Sequence, residues 1–173
     1  IGHYGQFVGC IVARSRREAK DAASRVKIEY ESGGAPVLTI EDALKKSPGG
    51  PCPDLSSNGL PTQATMKSGD AEKALKSASK KIKGQHRCGS QKHFYMETQS
   101  AYAYIGEGGT VQVHSSNQWP QAVQDVVCAV LGLPQHKVCV NCNRLRGGFG
   151  GKLVLAAVVA AISSLCAKKF LYP

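Results

Sequence analysis

The sequence predicts an α+β protein on three observations. A strand–helix–strand succession opens the chain, and a hairpin–helix–strand succession fills its second half. A glycine-rich turn then leads from the last strand into a long uncharged apolar run.

Each element follows from local pattern. "FVGCIVAR" (7–14) is a continuous apolar run bounded by glycine and charge, as a buried strand is. "RREAKDAASRV" sets alanines at 19, 22 and 23 against charges elsewhere, which predicts an amphipathic helix. "VKIEYE" (26–31) alternates apolar with charged residues, so the first 31 residues read as a βαβ unit with parallel strands. "TIEDALKK" begins with a threonine cap and an acidic first turn, the signature of a short helix. Residues 47–68 hold four of the eight prolines among glycines and serines and read as a loop or linker. Order restarts at "GDAEKALKSAS" (69–79) under an Asp70 cap, followed by "KKIKGQHRC" as a strand candidate.

A second region begins near Gln91. "SAYAYIGEGGTVQVHSSN" is two alternating strands joined through a glycine turn at 106–109. Trp119 and Pro120 open the helix "PQAVQDVVCAVLGL", with Val123, Val126, Val127, Val130 and Leu131 predicted on its core face. Gly132 and Pro134 end it, and "HKVCVNCN" supplies another strand. The run "LVLAAVVAAISSLCA" is too short to cross a membrane and reads as a buried core helix, which on its own would expose a face.

Composition excludes several function classes. The formal charge of +10 invites a nucleic-acid reading, but Lys73, Lys76, Lys80, Lys81 and Lys83 cluster about one helix end, where they complement the dipole. No nucleic-acid motif accompanies them, so neither a nucleic-acid nor a membrane partner is expected. Seven cysteines include one C-x-x-C pair, Cys139 and Cys142, within a predicted strand. A zinc site needs a second pair or suitably spaced histidines, so reduced cysteines packed as small hydrophobes are expected.

The glycine turn "NRLRGGFGGKLVL" (143–155) carries the most chemistry. It is neither a P-loop, since Leu153 replaces the magnesium-binding hydroxyl, nor a dinucleotide fingerprint. Two readings remain open. Free backbone N–H groups at a helix start could face an electron-rich oxygen, with Phe149 standing proud as a pocket wall. Alternatively, this is a plain strand-to-helix turn with Phe149 in the core. "QKHFYMETQ" (91–99) gathers an imidazole, two aromatics and a carboxylate, and Glu97 and His93 are possible acid/base partners.

"QKHFYMETQSAYAY", "SSNQWPQAVQ", "LGLPQHKV" and "RLRGGFGGK" follow one another in an order and spacing that resembles the xanthine dehydrogenase/aldehyde oxidase family of molybdenum hydroxylases. "GQFVGCIVARSRREAKDAASRVKIEYE" resembles the end of that family's small, hammerhead-like α/β domain. The resemblance implies three parts: residues 1–46 ending the small domain, a 47–68 linker, and residues 69–173 beginning the molybdenum-cofactor-binding domain. It implies a molybdenum–molybdopterin cofactor here, with 2Fe-2S clusters and FAD elsewhere in a longer, cytoplasmic, homodimeric protein. Gln118 matches the glutamine whose side chain approaches an oxo ligand of the molybdenum centre, and Phe149 and Gly150 match the Phe-Gly pair beside the metal. The family's catalytic glutamate lies far downstream, so no catalytic residue is expected within this segment, which alone would be inactive.

Two positions depart from the family pattern. Arg146 stands where the loop usually has glycine, which raises the alternative of a non-catalytic homologue acting only as a packing or interaction domain. Leu153 stands where xanthine-oxidising members carry glutamate, so together with Phe149 it predicts a pocket for an aldehyde or an apolar heteroaromatic.

Overall fold

The computed structural model describes residues 5–31, 33–46 and 67–171. They form two compact units, one of Ile1–Val26 with Gly89–Pro173 and one of Lys27–Cys88.

Within Lys27–Cys88, two short helices rest on their caps. Thr39 Oγ1 accepts a hydrogen bond from the Asp42 backbone N–H at 3.1 Å and donates to the Asp42 carboxylate at 2.7 Å, a side-chain cap at the start of α2 (Ile40–Lys46). Asp70 caps α3 (Ala71–Ser77) by accepting from Lys73 N–H at 3.0 Å, as its position predicts. Neither helix buries a residue, and Arg87 pairs with Glu41 on the surface.

The other unit holds α1 (Arg16–Ala23), capped by Ser15, and a layered core between residues 101 and 171. Strands β1 (Ala101–Ile105) and β2 (Val111–Ser115) form the predicted antiparallel hairpin, with Ala103 opposite Val113. Helix α4 (Pro120–Leu131) has Pro120 in its first turn and ends on Gly132 at φ 64°, a left-handed cap that glycine adopts without a Cβ clash. It leads to β3 (Val138–Asn141), which pairs parallel to β2. Helix α5 (Leu155–Phe170) packs across β1 and α4. Val111, Val113, Val123, Val127, Leu131 and Val138 fill the core together with Ala157 and Ala160.

Several expectations change. Neither 7–14 nor 26–31 forms a strand, because no ladder partner lies beside them among the described residues, and 7–14 is exposed throughout. The parallel β–α–β connection is instead β2–α4–β3. The 80–88 strand candidate is likewise unpaired. On α4, Cys128 is buried while Val126 and Val130 are largely exposed. At about 100° per residue the buried arc runs from Val123 through Val127 and Leu131 to Cys128, which leaves 126 and 130 at its edge. Cys139 is exposed rather than packed, and Cys142 donates to the Asn117 carbonyl at 3.2 Å. Among the described residues, no helix is long and apolar enough to cross a membrane.

Candidate functional site

The site is assembled where β2 ends. Asn117, almost fully buried, accepts from Trp119 N–H at 3.0 Å and donates to the Ser115 carbonyl at 3.1 Å. This local turn fixes the step from strand into α4 and places Gln118 at the helix entry. Gln118 then joins the glycine loop at three points. Its backbone N–H donates to the Lys152 carbonyl at 2.9 Å, and its Oε1 accepts from Gly150 N–H at 3.0 Å and Lys152 N–H at 3.2 Å. With Oε1 committed to two donors, the amide's Nε2 has no hydrogen-bond partner among the described residues.

Close approach explains the glycines. A Cβ on Gly148 would lie 2.4 Å from Gln118 Oε1, and one on Gly151 would lie 2.7 Å from a Tyr95 ring carbon. Gly150 sits at φ 87° with nothing within 4 Å of where a Cβ would be, so its backbone presents an open face. Phe149 holds φ 48° and is 72% exposed, which excludes the reading that buries it in the core. With Phe94, Tyr95, Met96, Glu97, Arg146 and Gly147 it lines an open cavity of about 690 Å³. Leu153 is exposed and does not line that cavity.

Two of the loop's backbone donors are already engaged. Gly150 N–H is engaged by Gln118, and the loop does not enter a helix directly. Gly151 N–H bonds the Gly148 carbonyl at 2.7 Å, closing a turn four residues before α5 begins. The carboxamide Nε2 of Gln118 is a side-chain donor with no partner among the described residues. Arg146 is not among the positive-φ residues, so replacing a glycine there creates no backbone strain.

Glu97 does not pair with His93. Its Oε2 accepts from Lys152 Nζ at 2.9 Å, Ser116 Oγ at 2.8 Å and Arg146 N–H at 2.9 Å. The Lys152 hydrogen bond, then those of Arg146 and Ser116, hold its carboxyl at about 2, below the ordinary 4.5. Lys152 is fully buried; its Nζ also donates to Ser116 Oγ at 2.8 Å and lies 4.8 Å from the centre of the Tyr95 ring. The sequence reading missed Lys152 as part of this site. The available signal was a lone cation entering an uncharged run, since a buried charge needs a partner.

The molybdopterin cofactor-binding domain family matches residues 55–173. The chain belongs to this domain family. Among relatives of the family, aldehyde oxidase 4 of Arabidopsis thaliana is 39% identical over 98% of the chain and 12% of its own length. Aldehyde oxidase 1 of Oryctolagus cuniculus is 36% identical over 95% of the chain and also 12% of its own length. Xanthine dehydrogenase of Dictyostelium discoideum is 37% identical over 93% of the chain, so identity does not separate the two kinds of relative. The crystal structure of quinoline 2-oxidoreductase from Pseudomonas putida 86 superposes with a TM-score of 0.62 at 26% identity, covering 90% of this chain and 20% of that one. The chain thus spans about an eighth of the curated relatives' length.

The residues present fit the family's cofactor. An unpartnered carboxamide N–H and the open backbone face of Gly150 stand side by side, with no charged side chain in the Gln118–Gly150 contact. A neutral donor beside bare backbone suits close approach by an oxygen-bearing group.

Proposed function

We propose that this chain is the part of a molybdenum hydroxylase that holds one side of its molybdenum–molybdopterin group, in a protein that oxidises aldehydes or apolar N-heterocycles with water-derived oxygen. The observation that carries this reading is the Gln118–Gly150 contact at 3.0 Å, which leaves the carboxamide Nε2 free beside an open glycine backbone. When bound, the molybdenum group supplies the two-electron redox chemistry. Gln118 would contribute a neutral hydrogen-bond donor, fixed in direction because its oxygen is already occupied. Gly150 would let the group come close. Phe149, standing out of the loop, would form a wall that orients a flat or apolar substrate and keeps water from it.

The apolar preference rests on Phe149 with Phe94, Tyr95 and Met96 around the cavity, since Leu153 stands outside its lining. In this reading, residues 1–46 close a small domain, 47–68 link, and 69–173 begin the cofactor-binding domain. The base that takes a proton during turnover lies outside these residues, and the 173 residues alone are inactive. The intact protein would be a cytoplasmic homodimer with 2Fe-2S clusters and FAD in its other parts.

The test is metal analysis and turnover of the intact protein, purified from cells that make the cofactor. We expect molybdenum near one atom per chain and faster oxidation of an aromatic aldehyde than of xanthine. Protein matured in this way without molybdenum overturns the reading, and a preference for xanthine overturns its substrate half.

A further inference from the structure

The geometry points to Lys152 and Glu97 as a positioning pair, a latch that closes the glycine loop on itself and presets Gln118 and Gly150. The use assigned to that preset loop, receiving the cofactor, rests on the function proposed above.

Glu97 Oε2 binds the loop at both ends. It accepts from Arg146 N–H where the loop begins and from Lys152 Nζ where it closes, each at 2.9 Å. Lys152 in turn grips Gln118 through both backbone groups, its N–H to Oε1 and its carbonyl to the Gln118 N–H. Ser116 anchors the pair to the sheet, because its N–H bonds the Ser100 carbonyl at 3.0 Å while its hydroxyl meets both charges. A continuous path therefore runs from the sheet through Ser116, Glu97 and Lys152 to the carboxamide beside Gly150.

Packing alone does not call for this arrangement. Taking an ammonium to full burial carries a desolvation cost that an apolar side chain of similar volume avoids. What a methionine at 152 could not supply is direction, since only a multidentate cation and carboxylate join two loop ends and a hydroxyl at fixed distances. The loop most needs that direction. Phe149 and Gly150 both have positive φ, a conformation the isolated chain rarely holds at a phenylalanine.

The test uses the intact protein with Glu97→Gln, Lys152→Met and the milder Ser116→Ala. Amide hydrogen exchange on cofactor-free protein reads the latch without reference to molybdenum. We expect the Gly150 amide, which touches neither Glu97 nor the Lys152 side chain, to exchange about tenfold faster or more in the first two variants, while Val113 in the sheet is unchanged. Ser116→Ala, which keeps both charges and is the variant surest to fold, should quicken Gly150 by a smaller factor. On loaded protein, kcat should fall about tenfold or more with KM little changed, and the Mo(V) paramagnetic signal should shift. Wild-type Gly150 exchange in the folded variants, or equal quickening of Gly150 and Val113, overturns the latch. A quickened loop in a protein that takes up no molybdenum upholds the latch and overturns the function instead.

Discussion

Helices α1, α2 and α3 differ from α4 and α5 in what supports them. The first three begin under well-formed side-chain caps, at Ser15, Thr39 and Asp70, and bury no residue. Helix α4 has no side-chain cap, yet it buries Val123, Val127, Cys128 and Leu131; α5 also lacks one and buries six residues. Caps decide where a helix starts, and burial decides how firmly it stays. A segment of seven or eight residues is marginal by propensity alone, so the capped helices depend on terms worth about 1 kcal/mol each.

The largest effect should come from the buried side of this contrast. Leu131 is 6% exposed at the end of α4, within the core shared with the sheet and α5. Leu131→Ala in the intact protein is expected to destabilise the 101–171 layer by roughly 2–5 kcal/mol, read as a lower urea midpoint at unchanged slope. A loss under about 0.5 kcal/mol would mean that α4 is held by something other than its apolar face.

How much was legible follows the same division. The hairpin, α4, β3 and the apolar helix were readable because alternation, Pro120 and Gly132 are local signals and the partners lie nearby in sequence. The strands expected at 7–14 and 26–31 were not, because an extended apolar run becomes a strand only when a neighbour accepts its ladder, and sequence periodicity cannot supply that neighbour. At the site, Gln118, Phe149 and Gly150 were placed by a resemblance of motifs, and the contact between Gln118 and Gly150 brings two of them together. Glu97 was singled out with the wrong partner. Its spacing to His93 is local, whereas Lys152 lies 55 positions away and only the packing of the glycine loop against 93–97 brings it near. Leu153 was expected at the pocket wall with Phe149, but it is not among the residues that line the cavity.

A second test contrasts electrostatic with apolar support. Glu97 titrates at about 2 in the folded protein against an ordinary 4.5. Its depressed carboxyl therefore adds stability that is fully present above about pH 4.5 and is lost as the pH falls through about 2. Glu97→Gln removes this dependence. The stability gap between wild type and variant should be widest near neutral pH and should close between pH 4.5 and 2, followed by urea unfolding at stepped pH. A gap of constant size across that window would show that the glutamine disturbs packing rather than charge. Leu131→Ala should show such a constant gap, which makes it the control.

The smallest effects should appear in α2, where the two kinds of support can be weighed inside one helix. Thr39 holds two hydrogen bonds to Asp42, while Leu44, the largest apolar side chain in the helix body, is 44% exposed. Thr39→Ala removes both bonds and should cost the helix about 1 kcal/mol, whereas Leu44→Ala should cost less than about 0.5 kcal/mol. Amide exchange across residues 40–46 of the intact protein reads both, since loss of the cap should raise the rates several-fold and loss of the leucine should barely move them. The reverse ranking would mean that α2 is held by a packed face, and the division between capped and buried helices would then fail at this element.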